Sequence, residues 1–249
     1  MPDWQLRPAR DLGLKPSERL RSIGRERGLG GLLLAMAWRG LVWTYLRVFH
    51  RLRIEGREHL PPEPPFVMVA NHASHLDALV LSVALPPRLA ANAYALAAGD
   101  TFFTSNAKAA FAAYAINALP VWRNKTSARD LTGLRQRLHE DRAVLILFPE
   151  GTRTRTGAMG RFKPGIGALV AGTPVPVVPC YLEGAFAAWP PTRRLPLPGR
   201  LRLVIGKPLA FRDPAQNRAE LNAVSAQCEQ AVLALADPVT SPGTPRAPG

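Results

Sequence analysis

Cysteine is almost absent from this chain of 249 residues, and it forms no zinc-type pattern with histidine. The two cysteines, Cys180 and Cys228, are too few for a disulfide framework, so we expect a reducing compartment. Without zinc-type spacing, no metal is expected either. The hydrophobic share of 47% is too high for a disordered chain and too low for a multi-span membrane protein, and the length suits one domain.

Acidic side chains are also few. Only 18 Asp and Glu oppose 32 Lys and Arg, so the formal net charge is 32 − 18 = +14, and only five of the basic residues are lysines. A surplus of this size favours a polyanionic partner. Nucleic acid, an anionic membrane and a phosphorylated metabolite all fit this description, and charge alone does not choose among them.

One long apolar stretch covers residues 28–46 and is interrupted only by Arg39. The residues before it are polar and show no signal-peptide pattern. The stretch approaches the roughly 20 residues of a transmembrane helix, but a central charge costs about 2.5–3.5 kcal/mol there, and both flanks are basic. We therefore predict one or two helices over 16–50 that lie on or dip into an anionic membrane, within a membrane-associating segment 1–50. The alternative is an apolar helix packed on the protein's own core.

Beyond residue 50 the pattern alternates between short apolar strands and helices. The predicted strands are 66–70, 91–98, 143–148, 175–183 and 200–206, and the predicted helices are 75–86, 102–115, 126–140, 163–171 and 214–235. This alternation predicts one α/β domain over 51–236, with a mixed, largely parallel sheet flanked by helices. Residues 237–249 hold four prolines and no apolar anchor, so we predict a disordered tail.

Residues able to do chemistry follow a predicted strand in the segment NHASHLD, 71–77. Open α/β sheets place ligands at such strand ends. His72 and Asp77 meet if His72 lies in the loop and Asp77 in the first helical turn; the carboxylate then orients the imidazole, and His72 acts as a general base. Ser74 and Asp77 also fit a capping box, which would start a helix there. On that plainer interpretation both are caps and His72 is a loop residue; the two interpretations are compatible.

A second polar cluster follows the most hydrophobic strand, in FPEGTRTR, 148–155. This loop and the residues after it supply four cations, which are Arg153, Arg155, Arg161 and Lys163. Because arginine binds phosphate through two parallel hydrogen bonds, such a cluster at one strand end indicates a phosphate-bearing substrate. The alternative is a solvated basic loop. Arg123, which follows the apolar run 117–122, is a further candidate at another strand end.

At these residues the chain resembles the glycerolipid acyltransferase family, the lysophosphatidate acyltransferases of bacterial phospholipid synthesis. NHASHLD is similar to the family's NHx4D motif, and FPEGTRTR is similar to its FPEGTRS-type block, the more specific of the two. LPVWR (119–123) and VPVVP (175–179) resemble two further blocks, so the resemblance covers roughly residues 50–210. The chain departs from the pattern at Asn117, where the second block often has glycine.

The resemblance implies a mechanism and a set of site residues. His72 and Asp77 are the implied catalytic pair: His72 deprotonates the acceptor hydroxyl, which attacks an acyl thioester directly, while Asp77 holds and charges the imidazole. The residues implied to bind the glycerol phosphate or to shape its pocket are Arg123, Glu150, Gly151, Thr152, Arg153, Lys163 and Pro179. Because a thioester is already activated, no metal or cofactor is expected beyond acyl-CoA or acyl carrier protein as co-substrate.

The implied reaction is O-acyl transfer to a lysophospholipid, chiefly 1-acylglycerol 3-phosphate, by a peripheral or monotopic protein at the cytoplasmic face of the cell membrane. Another lysolipid, such as a lyso-ornithine lipid, is an alternative acceptor. Ser74 as a covalent nucleophile is a weaker alternative, because its hydroxyl has a role as a cap. The alternative from another class is a basic nucleic-acid-binding protein. The sequence has no helix-turn-helix, zinc-finger or RNA-binding signature, so no nucleic-acid partner is expected.

Overall fold

The structure is a computed structural model that describes residues 9–26, 29–121 and 128–236. The predicted tail, 237–249, lies outside the described residues. The helices are α1 (Pro16–Leu20), α2 (Leu29–Phe49), α3 (Asp77–Ala84), α4 (Pro87–Ala90), α5 (Gly99–Phe102), α6 (Asn106–Ala115), α7 (Ala128–His139), α8 (Gly165–Val170), α9 (Ala185–Ala188) and α10 (Arg218–Leu233). The strands are β1 (Arg53–Glu55), β2 (Phe66–Ala70), β3 (Ala93–Ala98), β4 (Ala118–Val121), β5 (Val144–Leu147), β6 (Val177–Glu183) and β7 (Arg202–Ile205).

The strands and helices predicted in the domain are all present, and the structure adds short elements that were not predicted, including β1, α4 and α9. The predicted helix 102–115 is divided, because the Ser105 side chain accepts a hydrogen bond from the Lys108 N–H and so begins α6 as a new helix. Strand β1 was not predicted. It is only three residues long and alternates exposed, half-buried and exposed, which leaves no apolar run to detect.

The described strands form one seven-stranded sheet in the order β1-β7-β6-β2-β5-β3-β4. Neighbouring strands run parallel, apart from β6 and β7, which are antiparallel. The central strand is β2, where Met68 is paired with Ile146 of β5 and with Val178 of β6. The prediction of an α/β fold with a mixed, largely parallel sheet is thus confirmed.

Alternation along β2 divides the core into two layers. Phe66, Met68 and Ala70 belong to the apolar cluster that includes α3 and part of α2. Val67 and Val69 belong to the cluster formed with α7, α8 and α10. The whole of β2 is buried on both faces, as expected for a central parallel strand, and each large side chain so buried contributes about 1.5–3 kcal/mol.

The connections that leave β2 and β5 run to opposite faces of the sheet, since α3 packs in one apolar cluster and α8 in the other. β2 and β5 are parallel neighbours, so their carboxyl ends meet at one edge. Loops that diverge at such an edge open a crevice between them. The two loops are residues 71–77 and 148–155, so the fold brings both sequence motifs to one crevice.

Arg39, the charge inside the apolar stretch, binds the end of α3. Its guanidinium donates to the carbonyls of Ser82 and Val83 over 2.7 and 3.2 Å, and also to the carbonyl of Leu85. The last carbonyls of a helix lack partners within the helix, and a cation is favourable there. Arg39 is therefore a side-chain cap that joins α2 to α3.

Helix α2 is packed on the domain along one side and exposed along the other. Val42 and Leu46 are buried in the core, and the indole N–H of Trp38 donates to the Ala115 carbonyl over 2.7 Å. The exposed apolar side chains of α2 are Leu33, Leu34, Met36, Leu41, Trp43, Val48 and Phe49. In the described part of the chain, Gly30–Phe49 is the one helix long and apolar enough to cross a membrane by length and composition. Packing on the protein's own core thus describes one side of α2, and the membrane contact of the other side stays a prediction.

The segment before α2 packs against the domain. Arg25 is 5% exposed and donates to the Asn117 side-chain oxygen and the Ala118 carbonyl, each over 3.0 Å. From α7, the Arg137 guanidinium donates to the Ile23 carbonyl over 2.6 and 2.8 Å. Arg25 belongs to the basic flank before the apolar stretch, and the charge of that flank favoured an anionic membrane in the sequence analysis. Its charge is instead used inside the protein.

Asn117 occupies a backbone conformation that few residues tolerate. Its φ is +48°, in the left-handed region, where asparagine is enriched after glycine. Its side-chain amide donates to the Ala93 carbonyl over 2.6 Å. The same backbone requirement accounts for asparagine at a position where the resembled family often has glycine.

Candidate active site

The carboxyl end of β2 brings His72 and Asp77 into contact, as their spacing predicted. His72 lies in the loop, and Asp77 is the first residue of α3. Nδ1 of His72 lies 2.8 Å from Oδ2 of Asp77; the Asp77 side chain is 1% exposed and that of His72 is 20% exposed. Because a carboxylate only accepts hydrogen bonds, Nδ1 carries the ring proton, and Nε2 is the nitrogen able to take another.

Backbone groups also hold the Asp77 carboxylate. Its Oδ2 accepts hydrogen bonds from the N–H groups of Ala73 and Ser74 over 2.7 and 2.8 Å. The Ser74 hydroxyl, in contrast, donates to the Trp189 carbonyl over 2.8 Å and accepts from the Leu76 N–H over 3.1 Å. Only the carboxylate half of the predicted capping box therefore forms. The Ser74 proton is used in a bond to a carbonyl, which is not the arrangement of an activated nucleophile.

The second motif supports the His72 loop from β5. The Phe148 ring stacks on the His72 imidazole, with centroids 4.2 Å apart and planes 17° from parallel. Glu150 accepts hydrogen bonds from the N–H groups of His72 and Gly160 over 2.6 and 2.7 Å. The Thr154 N–H donates to the His72 carbonyl over 2.8 Å. The two motifs therefore form one hydrogen-bonded unit around the imidazole.

Glu150 holds the loops of His72 and Gly160 together in this structure. It is 6% exposed, and burial raises the pKa of its carboxyl above the ordinary value of 4.5. The hydrogen bonds from Gly160 and His72 oppose that rise in pKa. Both carboxyl oxygens are used by backbone N–H groups, so Glu150 fixes the loop that carries His72.

Gly151 allows the backbone turn in the second motif, residues 148–155. Its φ is +73°, in the left-handed region, and a Cβ there would lie 2.7 Å from Nζ of Lys163. The Lys163 N–H donates to the Pro149 carbonyl over 2.9 Å. Glycine thus provides both the backbone conformation and the space that the Lys163 side chain occupies across the turn.

Arg153 is the cation of the second motif that faces the crevice. Its Nη1 lies 2.6 and 2.9 Å from the two ring nitrogens of His75. Burial lowers the pKa of its guanidinium, and the charge of Asp77 opposes that shift. Among the described residues, no carboxylate forms an ion pair with Arg153. Its charge is therefore available to an anion that enters the crevice.

A cavity of about 380 Å³ opens between the two motifs. At one end its wall is polar and contains His72, His75, Thr152 and Arg153. The rest of the wall is mainly apolar and includes Ala78, Leu79, Leu96, Phe111, Ile116, Val121, Leu147 and Phe148. A base, a cation and an apolar wall within one cavity suit a molecule with a polar head and a hydrocarbon chain.

The structure separates the residues predicted for the site. Those that line the cavity are His72, Gly151, Thr152 and Arg153. Glu150 and Lys163 do not line the cavity: Glu150 is buried and holds the His72 loop, and Lys163 is exposed with its side chain beside Gly151. Pro179 is buried inside β6, paired with Val69 of β2, and does not line this cavity.

The remaining predicted cations are not brought to the cavity wall. Arg155 and Arg161 are exposed and absent from the lining, so the predicted cluster of four cations contributes one to the cavity. Arg123 lies outside the described residues.

Two residues of the site had no role in the sequence analysis. His75 lies inside NHASHLD, three residues from His72, but its partner Arg153 is 78 residues away. The carbonyl of Trp189, which binds the Ser74 hydroxyl, is 115 residues away. No local pattern marks either residue, because their roles arise only when distant loops meet at the sheet edge.

A family model described as Acyltransferase matches residues 51–183, just over half of the chain. The chain belongs to the Acyltransferase family. The matched range runs from just before β1 to the end of β6 and contains both motifs of the crevice. The family recognised from those motifs is thus confirmed.

Two relatives of this acyltransferase chain are both named 1-acyl-sn-glycerol-3-phosphate acyltransferases. The human protein "1-acyl-sn-glycerol-3-phosphate acyltransferase alpha" is 31% identical over 147 residues, which are 57% of this chain and 50% of that protein. The Arabidopsis thaliana protein "1-acyl-sn-glycerol-3-phosphate acyltransferase LPAT1, chloroplastic" is 29% identical over 180 residues, or 68% of this chain and 47% of that protein. The chain thus spans about half the length of these curated relatives.

A solved structure supports the fold. The crystal structure of the 1-acyl-sn-glycerophosphate (LPA) acyltransferase PlsC from Thermotoga maritima is 24% identical in sequence. It superposes with a TM-score of 0.62, covering 82% of this chain and 78% of that one. Most of this acyltransferase chain therefore shares one architecture with that structure.

Proposed function

We propose that the chain is an O-acyltransferase that moves a fatty acyl group from a thioester, acyl-CoA or acyl carrier protein, to the free hydroxyl of a lysophospholipid. The favoured acceptor is 1-acyl-sn-glycerol 3-phosphate, and the product is then phosphatidic acid. One observation carries the proposal. The imidazole of the His72–Asp77 pair, an arginine that forms no ion pair with a described carboxylate and an apolar wall all meet in one cavity. Family membership and the names of the relatives support the same chemistry.

His72 serves as the general base of this reaction. Nε2 takes the proton of the acceptor hydroxyl as its oxygen attacks the thioester carbonyl. The C–S bond then breaks, and the imidazolium returns the proton to the leaving thiolate, so His72 ends as it began. Asp77, 2.8 Å from Nδ1, stabilises the imidazolium and keeps Nε2 directed at the acceptor. A positioned base of this kind contributes about 10²–10⁴-fold to the rate.

Arg153 supplies the positive charge for the acceptor phosphate. Its guanidinium lines the same cavity as His72 and has no ion pair with a described carboxylate. A guanidinium matches the geometry of two phosphate oxygens, so it favours a phosphorylated acceptor over a zwitterionic or neutral one. The apolar wall, from Ala78 to Val121, accommodates hydrocarbon.

The proposed location is the cytoplasmic face of a membrane, with the protein bound at the surface. Seven large apolar side chains of α2 are exposed, while Trp38, Arg39, Val42 and Leu46 hold that helix to the domain. Before Trp38, only residues 29–37 of α2 are left to extend, which is about 14 Å of helix. The hydrocarbon core of a bilayer is about 30 Å thick. Helix α2 therefore fits a helix lying in the surface of a bilayer rather than across it.

The test is transfer from one acyl-CoA to a panel of lysolipids. We expect 1-acylglycerol 3-phosphate to be acylated faster than 1-acylglycerol or a lyso-ornithine lipid. His72→Ala is expected to lower kcat by at least about 10²-fold, because it removes the base. His139→Ala, at an exposed histidine of α7, serves as the control variant and keeps wild-type activity. Near wild-type turnover by a folded His72→Ala protein contradicts the mechanism, and preference for lyso-ornithine lipid contradicts the acceptor.

A further inference from the structure

His75 and Arg153 form a contact across the mouth of the cavity. Nη1 of Arg153 lies 2.6 Å from Nδ1 and 2.9 Å from Nε2 of the imidazole. Both residues line the cavity that also contains His72. The two nitrogens are separated by one ring carbon and their lone pairs diverge in the ring plane, so an atom this close to both lies over the face of the ring. A guanidinium in that position is attracted by the face of a neutral imidazole and repelled by a protonated one. The contact therefore favours neutral His75.

The His75 ring is itself held in place by the segment after α9. Its centroid lies 4.9 Å from that of Trp189, with the planes tilted by 42°. The Trp189 carbonyl in turn accepts the Ser74 hydroxyl, so the same segment supports the His72 loop. Arg153 is thus positioned from the opposite side of the crevice.

The charges around His75 favour its neutral form. Burial lowers the pKa of the imidazole below its ordinary value of 6.5, and the cation of Arg153 lowers it further. The other groups that act on it are Asp77 and the Pro191 main chain, which raise the pKa, and His72, which lowers it. At neutral pH the ring that Arg153 contacts is therefore uncharged.

We propose that His75 is a positioning residue that holds the Arg153 guanidinium in place to receive the phosphate of the acceptor. The inference rests on the proposed function, because the anion that Arg153 receives is the acceptor's phosphate. The inference gives His75 a role in acceptor binding and not in proton transfer. Loss of the contact therefore weakens acceptor binding and leaves the chemical step unchanged.

The first experiment compares two substitutions of this partly exposed residue. His75→Ala removes the ring over which the Arg153 guanidinium lies. We expect about a five- to tenfold higher KM for 1-acylglycerol 3-phosphate, with kcat within about twofold of wild type. His75→Phe, which keeps an aromatic ring between Trp189 and the guanidinium, is expected to restore most of the lost affinity. Equal KM values for His75→Ala and wild type overturn the proposal, as does failure of His75→Phe to restore affinity.

A double-mutant cycle shows whether His75 acts through Arg153. In an Arg153→Ala background, His75→Ala is expected to change KM by less than about twofold, because the group it positions is already gone. The full five- to tenfold effect in that background would mean that His75 acts directly on substrate or only on loop stability. A loss that is equally large for 1-acylglycerol, which has no phosphate, also contradicts the proposal.

NMR titration of His75 tests the contact independently of the reaction. Arg153→Ala is expected to raise the pKa of His75, because a neighbouring cation has been removed. Binding of glycerol 3-phosphate to the wild type is expected to raise it as well, since an anion then faces the ring. If the wild type acylates no phosphorylated acceptor but Arg153→Ala raises the pKa, the contact stands and the proposed function fails. An unchanged pKa in Arg153→Ala contradicts the contact itself.

Discussion

The chemistry of His72 is set by bonds that converge on one oxygen atom. Oδ2 of Asp77 receives the imidazole Nδ1–H and two backbone N–H groups, all within 2.7–2.8 Å. The two backbone donors come from residues 73 and 74, which lie between His72 and Asp77 in the chain. A spacing of five residues across a loop and a first helical turn is therefore enough to build the pair, and this is why the sequence alone predicted it.

Another buried histidine makes stability depend on pH. His50 is fully buried at the end of α2; its Nε2 lies 3.0 Å from the Tyr45 hydroxyl, and its Nδ1 has no hydrogen-bond partner among the described residues. Burial lowers the pKa of His50 below its ordinary value of 6.5. As pH falls below 6.5, the unfolded chain binds a proton that the folded chain does not, so folding stability decreases towards the folded-state pKa.

We therefore predict that His50→Phe flattens the dependence of stability on pH. Between pH 7 and pH 5, the free energy of unfolding of the wild type is expected to fall more steeply than that of His50→Phe. Urea unfolding followed by circular dichroism at several pH values measures both slopes. His139→Phe, which changes an exposed histidine in the same way, is expected to keep the wild-type slope. Identical slopes for wild type and His50→Phe would show that His50 takes up its proton without a penalty.

What the sequence could not predict at this scale are contacts with distant backbone. Glu150 was expected to bind substrate, but its oxygens accept from the N–H groups of His72 and Gly160. Arg25 was expected near a membrane, but its guanidinium meets carbonyls near β4. A carboxylate or guanidinium looks the same in a sequence whether its partner is a ligand or a main-chain group. Only the fold decides which it is.

At the scale of elements, the strands of the sheet were more predictable than the contacts that join α2 to the domain. Strands β2 and β5 are short runs of buried apolar residues, and such runs are visible in sequence. The cap between Arg39 and α3 was not visible. Its partners are carbonyls of Ser82, Val83 and Leu85, more than 40 residues away. Tertiary contacts of this kind explain why the charge in the apolar stretch was first counted only as an obstacle to membrane insertion.

The close approach of α8 and α10 depends on one glycine. A Cβ at Gly167 would lie 2.3 Å from the Leu221 carbonyl oxygen, so the helices cannot keep their separation with a larger residue there. The Gly167 N–H also lies 3.3 Å from the Ser225 hydroxyl. Gly165, at the start of the same helix, has no atom within 4 Å of the equivalent position. Gly165 therefore serves as a matched control for a substitution at Gly167.

We predict opposite results for alanine at these two positions. Gly167→Ala is expected to destabilise the fold by about 1–3 kcal/mol, because the helices must shift apart. Gly165→Ala is expected to be neutral or to stabilise by up to about 1 kcal/mol, because alanine favours a helix and meets no neighbour. Chemical denaturation of the two variants and the wild type measures both effects. A stability of Gly167→Ala equal to that of Gly165→Ala would contradict the close packing.

At the scale of the whole molecule, the charge surplus divides among different tasks. Arg25, Arg39 and Arg137 donate to carbonyls within the protein, and Arg153 faces the cavity. The +14 total therefore overstates the charge offered to a partner. The remaining basic residues lie on the surface of a molecule whose α2 also exposes large apolar side chains. That combination suits an anionic bilayer, to which apolar and basic groups bind together.

The exposed side of α2 provides the test of that binding. Deleting the N-terminal segment is unsuitable, because it removes Val42 and Leu46 from the core. The pair Leu33→Glu and Leu34→Glu is sharper, since these side chains are 60% and 64% exposed. We expect at least a tenfold loss of binding to vesicles that contain phosphatidylglycerol, because two carboxylates would enter the bilayer in place of two leucine side chains.

The control pair changes charge equally at exposed leucines away from α2. Leu12→Glu and Leu233→Glu, at side chains 70% and 46% exposed, are expected to weaken vesicle binding by less than about threefold, through electrostatics alone. Equal losses for the two pairs would mean that net charge, not α2, governs attachment. Full binding by the Leu33 and Leu34 pair would exclude α2 from the membrane contact. Transfer measured in detergent micelles, where no bilayer is needed, should stay at the wild-type rate in both pairs, because neither pair lines the cavity of His72.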